Sequence, residues 1–385
     1  MQPVVDRLLP CTMVGSYPRP RWYRRTSYGQ DLRELLMDAA WREEYEDAVK
    51  AVLNDQLTVG LDIVSDGELF EDDYYGSTGW PDYVVGRVAG RPPRREVRPM
   101  PGGLSRSPIL QHLFEEGWPT PVLTGPVEHG PLRFGYLYEL AARFSGGRSV
   151  KASFIDPQLA AGFLQDRYYG SQPGASAAAL VMDLVEIYRE ELHDLALAGC
   201  PIFQSDLPPF ATLGMMGAPP ERWDLAARAF NRMVAETGQM QIWMHDCWGR
   251  PFGQLARGET GDFRPMFPRV FDANFHVLNI ECGDCVGPEM ELLEQVPPDR
   301  GVAIGIIDHR ALQVESAELV AVRIRRALEH IPAERLTLTT YCGLGSTLPR
   351  TIAYFKLKAL VDGAAIIRAE LTGTRPELTP VAAGA

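Results

Sequence analysis

The sequence has no apolar run approaching the roughly 18–20 residues that a bilayer span needs, and Met1 to Pro10 has no basic segment followed by an apolar one. A cytoplasmic protein with no membrane partner is expected. Cysteine is sparse: six in 385 residues, scattered from Cys11 to Cys342 without a repeating framework. That pattern excludes a secreted disulfide scaffold and leaves the thiols for packing, metal or catalysis. Positive charge is short as well. With 38 Lys and Arg against 50 Asp and Glu, the net charge of −12 works against nucleic acid or anionic lipid as a partner, since both need clustered cations. What is present is 45% hydrophobic residues, enough for a large core, and small molecules are the expected partners.

Short β-branched or apolar runs alternate with longer stretches of helical period, the signature of βα units feeding a parallel sheet. The runs are Thr12–Gly15, Leu61–Val64, Pro121–Thr124, Val150–Phe154, Pro201–Phe203, Gln241–Met244, Val277–Ile280, Val302–Ile307 and Leu336–Thr340. Nine runs for the eight places of an α/β barrel make one of them peripheral. Residues 1–385 are read as one such barrel. The stretch from Glu71 to Trp118, rich in Gly, Pro, Tyr and Arg, is too long for an ordinary connection. It reads as an insertion over the barrel mouth, with a disordered segment or an arm for a homo-oligomer as the alternatives.

Helices are legible between the strands. Leu180, Leu184, Ile187, Glu191 and Leu195 form one stripe, with Gly199 as the stop. A second helix is expected over Glu34–Leu57, ending near Gly60, and a third over Ala317–Glu329 with Ser316 as N-cap.

The polar residues cluster after the strands: Ser16, Asp66-Gly-Glu68, Gln204-Ser-Asp206, His245-Asp-Cys247, Glu281, Asp308 and Cys342. A barrel brings all of these to its C-terminal face, where active sites are built. His245, Cys247, Glu281 and Cys342 together offer nitrogen, sulfur and oxygen donors that suit tetrahedral Zn2+. Other uses stay open. Glu281 can cap a helix or pair with an arginine, and Cys282-Gly-Asp-Cys285 can contribute a competing pair of thiols. Asp308 and His309 are either proton carriers or a strand-end hydrogen-bond pair. Arg19, Arg21, Arg24 and Arg25, with Arg91, Arg94, Arg95 and Arg98, either rim the mouth to attract an anionic substrate or form a solvated face.

The ordered string Gly15-Ser-Tyr-Pro18, Asp66-Gly-Glu68, Gln204-Ser-Asp206, His245-Asp-Cys247, Glu281, Val314-Glu-Ser316 and Tyr341-Cys-Gly-Leu344 resembles the catalytic half of cobalamin-independent methionine synthase, over about Thr12 to Arg368. The resemblance implies a (β/α)8 TIM barrel of the methionine synthase and uroporphyrinogen decarboxylase type, with zinc on His245, Cys247, Glu281 and Cys342. It implies a thiol S-methyltransferase whose acceptor, homocysteine, is bound by Glu68 and Asp206 through its ammonium group and near Ser16 through its carboxylate. Zinc would hold the acceptor sulfur as its thiolate, the reactive form. Asp308 or His309 would protonate the leaving group of the donor, with methyltetrahydrofolate as one candidate. The chain departs from the pattern in having Arg310 where the family often has histidine or lysine, and in lacking the second barrel of the large synthases. Arg310 and the arginine rim leave open an alkyl transfer to another thiol such as coenzyme M, of the epoxide-opening type. A non-catalytic barrel with structural zinc is the reading from a different class.

Overall fold

The computed structural model describes residues 4–27, 29–71, 79–89, 95–98, 118–171, 177–247, 262–281, 290–345 and 348–378. Seven parallel strands form the central sheet: β1 (Ile63–Val64), β4 (Ser149–Ile155), β6 (Ile202–Asp206), β7 (Gln241–Asp246), β8 (Val277–Ile280), β9 (Gly301–Ile307) and β10 (Leu336–Thr340), side by side in that order. They are short and almost wholly buried, as strands covered on both faces must be.

The eighth place is filled by the segment around Cys11. Leu338 N donates to Pro10 O (2.8 Å) and Thr12 N to Leu338 O (2.9 Å), while Asp62 N donates to Cys11 O (2.9 Å). The segment thus bonds to β10 on one side and to the residues entering β1 on the other, which closes the curled sheet. The expected strand over Thr12–Gly15 is reduced to a single bridge at Cys11. The peripheral run is Pro121–Thr124. It lies in β3 (Trp118–Leu123), between antiparallel β2 (Arg95–Arg98) and parallel β5 (Gln165–Asp166), outside the barrel.

Alternate residues along each strand share a face. Ile63, Ile202, Trp243, Val277 and Ala303 form an apolar layer of their own, with Val4 and Val5 packed against it. Two residues further along the same faces come Gln204, His245 and Asn279, and two further still Asp206, Cys247 and Glu281. The inside of the barrel therefore runs from an apolar floor to a polar mouth. Outside, a much larger cluster joins the sheet to the surrounding helices.

The expected stripe is realised in the helix Ala177–Leu197, with Gly199 in the left-handed region at φ 83°. Glu191, the polar member of that stripe, is buried because it serves another helix: its carboxylate accepts from Phe134 N (2.8 Å) and Arg133 N (3.3 Å) at the start of Phe134–Ala142. The single helix expected over Glu34–Leu57 is two, Leu32–Leu35 and Ala39–Val59. Asp38 caps the second through Trp41 N, and Gly60 ends it. Ser316 caps Ala317–Leu328 as expected.

Of the Glu71–Trp118 insertion, the described parts are the helix Gly79–Val88 and strand β2. The helix packs against β4 and the short helix Pro157–Gly162, and its buried Arg87 donates to Ser27 O (2.9 Å). Among the described residues no helix is long and apolar enough to cross a membrane.

Candidate metal centre and acceptor site

Strands β7 and β10 are separated in the sheet by β8 and β9, and the residues at their ends carry the soft ligands, which meet inside the curled sheet. One ligand atom each from His245, Cys247 and Cys342 lie within 4.8 Å of one another, all three residues buried. The Cys247 thiol donates to Cys342 Sγ at 3.4 Å. His245 Nδ1 is 3.3 Å from Asn279 O, its register partner on β8, while Nε2 has no hydrogen-bond partner among the described residues. A backbone carbonyl that engages one ring nitrogen and leaves the other for a ligand is the usual support of a metal-binding histidine.

The electrostatics match. The Cys247 thiol, and then His245 and His309, hold Cys342 well below the ordinary thiol range despite its burial. Burial alone favours a neutral His245 ring, but Cys342 together with Asp206 and Asp246 draws the imidazole pKa upward. These groups form a thiolate–imidazole cluster whose protons a metal ion would displace.

Glu281 stands apart from the three. It is fully buried after β8, and its carboxylate pairs with the Arg310 guanidinium. Arg310 is itself largely buried and engaged in this pair. The arginine-pairing use of Glu281 is thus realised. Cys282 and Cys285 lie outside the described residues.

The opposite side of the mouth carries the carboxylates. Asp206 Oδ2 accepts from Ser153 Oγ (2.8 Å) and Oδ1 from Gln204 Nε2 (2.7 Å). Burial raises its pKa, against the pull of His245, Gln204, Ser153 and Lys151. Glu68 is buried at a turn after β1, where Gly67 and Glu68 both take positive φ, 74° and 56°. Asp66 makes that turn, with Oδ1 accepting from Glu68 N at 2.9 Å. The Glu68 carboxylate lies directly against Gly15, where an added Cβ would come within 1.8 Å of Oε1. Only glycine admits the carboxylate there. Ser16 ties the two sides together: its carbonyl accepts from Leu344 N (2.9 Å) and its hydroxyl from Gly345 N (3.3 Å), just beyond Cys342.

Beneath the carboxylates sits Lys151, which sequence reasoning missed. Fully buried, it donates to Met13 O and Gln204 Oε1, both at 2.8 Å, and burial pushes its pKa down to about 7. The signal was the alternation of Lys151 and Ser153 in a run read as an ordinary strand.

Asp308 and His309 divide. Asp308 Oδ1 accepts from Arg310 N (2.8 Å) and shapes the turn, while Glu315 Oε1 accepts from Asp308 N (2.9 Å). Glu315, from the Val314-Glu-Ser316 motif, also pairs with buried Lys356 at 2.8 Å, so that motif anchors the loop. His309 is fully buried within electrostatic reach of Cys342. Asp246 is buried, and burial raises its pKa to about 7. Of the arginine rim, Arg25 pairs with Glu44 (2.7 Å), Arg19 donates to Leu69 O (3.1 Å) and Arg24 to Arg21 O (2.9 Å), the bland use of these cations. Arg91 and Arg94 lie outside the described residues, as do the side chains of Arg95 and Arg98.

Comparison with known proteins agrees with this geometry. Residues 170–366 match the catalytic domain of cobalamin-independent synthase. The chain is 31% identical to 2-hydroxypropyl-CoM lyase of Xanthobacter autotrophicus, covering 95% of this chain and 96% of the relative. It is 27% identical to a methionine synthase of Saccharolobus solfataricus, with 94% and 96% covered. A B12-independent methionine synthase from a Shewanella species, solved in complex with selenomethionine, superposes with a TM-score of 0.76 at 26% identity, over 95% of this chain and all of that one. Strand order, the ends of β7 and β10 and these relatives converge, and the chain belongs to the cobalamin-independent methionine synthase family of methyl-transferring enzymes.

Proposed function

We propose that the chain is a zinc-dependent thiol S-methyltransferase of the methionine synthase type, with homocysteine as acceptor. The observation that carries the reading is the gathering of His245, Cys247 and Cys342 within 4.8 Å, in a barrel mouth that also holds Glu68 and Asp206. One imidazole and two thiols, buried and supported by a backbone carbonyl, fit zinc by donor type; Glu281 is assigned as the fourth ligand and must leave its pairing with Arg310 to reach the ion. Bound there, zinc would supply the acceptor sulfur as a thiolate at neutral pH.

The chain's own residues do the rest. Glu68 and Asp206 receive the acceptor's ammonium group, a pairing that two buried carboxylates over a single buried lysine leave electrostatically favourable. Ser153 and Gln204 hold Asp206 in place for it. A relative solved in complex with selenomethionine supports an amino-acid ligand that carries a chalcogen. Backbone near Ser16 takes the carboxylate. The leaving nitrogen of an N-methyl donor such as methyltetrahydrofolate needs a proton, worth about 10²–10⁴ in rate. That role is assigned to His309, because the Asp308 carboxylate is committed to its turn.

A second reading, alkyl transfer involving coenzyme M, draws on the 31% identical relative named 2-hydroxypropyl-CoM lyase and on the cation at Arg310. Incubating zinc-loaded protein with homocysteine or coenzyme M and a panel of methyl and alkyl donors, read by mass spectrometry, separates the two. Methionine is expected. Alkylated coenzyme M alone would favour the second reading, and no product from either thiol, with an unchanged sulfur count by zinc X-ray absorption, would leave a structural metal.

A further inference from the structure

Gln204 stands between the two halves of the site and touches both. Its Oε1 accepts from Lys151 Nζ and from Asn279 Nδ2, each at 2.8 Å. Its Nε2 is 2.8 Å from Val14 O, 2.7 Å from Asp206 Oδ1 and 3.1 Å from Ser153 Oγ. The amide orientation is forced, because the lysine and the Asn279 amide present hydrogens on one side, while a carbonyl and a carboxylate wait on the other. The main-chain carbonyl oxygen of Asn279 in turn faces His245 Nδ1 at 3.3 Å, so the side-chain amide acts on the imidazole by fixing this stretch of β8. Gln204, Asn279 and His245 are all essentially inaccessible to solvent, so no water competes for these bonds.

We propose that Gln204 is a positioning residue that couples the metal ligand His245, through Asn279, to the acceptor carboxylate Asp206. The proposal rests on the functional reading above for the meaning of Asp206 and adds a link between the two halves. One flat amide fixes Asn279 on the metal side and Asp206 on the acceptor side, so a shift on either side is felt on the other. Coupling of this kind is reciprocal: metal raises amino-acid affinity by the same factor as the amino acid raises metal affinity.

The test uses the full chain and L-norleucine, which has the shape of the product but no sulfur to reach a metal, so any coupling must pass through protein. Wild type should bind norleucine severalfold more tightly with zinc than without. Gln204→Met keeps the volume and loses both arms: zinc affinity, read by chelator competition, should fall about tenfold, the lower end of outer-shell effects, and the norleucine coupling should vanish. Gln204→Glu keeps the acceptor oxygens for Lys151 and Asn279 but places a second carboxylate on Asp206. It should leave zinc affinity within about twofold and weaken norleucine about tenfold. Asn279→Ala should match the zinc loss of Gln204→Met, and the double variant should lose no more than either single one. Equal losses of zinc affinity in Gln204→Met and Gln204→Glu, or additive losses with Asn279→Ala, would reduce Gln204 to packing and overturn the proposal. A wild type that binds neither norleucine nor homocysteine would sink the acceptor reading instead, and the zinc affinities would still decide the metal arm.

Discussion

The two sides of the barrel mouth are built on opposite plans. On the acceptor side both Asp206 oxygens are held by neighbours, Glu68 is wedged against Gly15, and Lys151 offsets charge from below. On the metal side His245, Cys247 and Cys342 crowd together with one thiol–thiolate contact between the sulfurs and an imidazole nitrogen that has no hydrogen-bond partner among the described residues. On the proposed acceptor side Asp206 is held at both oxygens by protein alone, whereas the metal side is a set of donors that a cation would complete. Buried polar groups cost free energy until partnered, so the first side contributes rigidity by itself and the second only when filled.

Removing a soft ligand should break the contrast most. Cys342→Ala should weaken zinc by about a thousandfold, taking roughly a quarter of the ~10–16 kcal/mol of a structural zinc site, and abolish turnover; retention of one zinc per chain through chelator dialysis would remove Cys342 from the ligand set. Next in size, Asp206→Asn should raise the acceptor KM about ten- to hundredfold, the range for a charge-assisted hydrogen bond, and leave zinc content intact. Loss of zinc together with acceptor affinity would show that the two sides are not separately built. Smaller again, Gly15→Ala forces the Glu68 carboxylate from its seat and should raise the acceptor KM about tenfold with an unchanged metal stoichiometry.

A fourth effect, read in stability rather than in turnover, is a pH dependence. Lys151 has a folded pKa near 7 against 10.5 for an ordinary lysine, so between those values the unfolded chain binds the extra proton. Stability then gains from Lys151 as pH rises from about 7 to about 10.5, and that gain is lost progressively as pH falls back from about 10.5 to about 7. Denaturant unfolding of wild type and Lys151→Met should diverge across that window, with wild type gaining. A constant difference would mean that Lys151 stays charged inside the barrel.

The sequence made the metal side legible and the acceptor side only half so. Cysteine and histidine are scarce, so their appearance after strands stood out. Glu68 and Asp206 were visible for the same reason, but the groups that hold Asp206 were not, because Lys151, Ser153 and Asn279 sit inside strands and read there as breaks in an apolar run. Their meaning needs three strands laid side by side, since Gln204 and Asn279 meet only because β7 separates β6 from β8. The pairing of Glu281 with Arg310 stood open as one alternative and was settled by packing across β8 and β9.

Closure of the barrel ties together residues remote in the chain: Val14 N donates to Thr340 Oγ1 across 326 positions, and Ser16 binds the loop that follows Cys342. Contacts of such long sequence separation are slow to form. The last strand delivers the last thiol, so the ion can enter a finished pocket only after the earliest and latest parts of the barrel have met, and metal capture marks a chain whose assembly is complete.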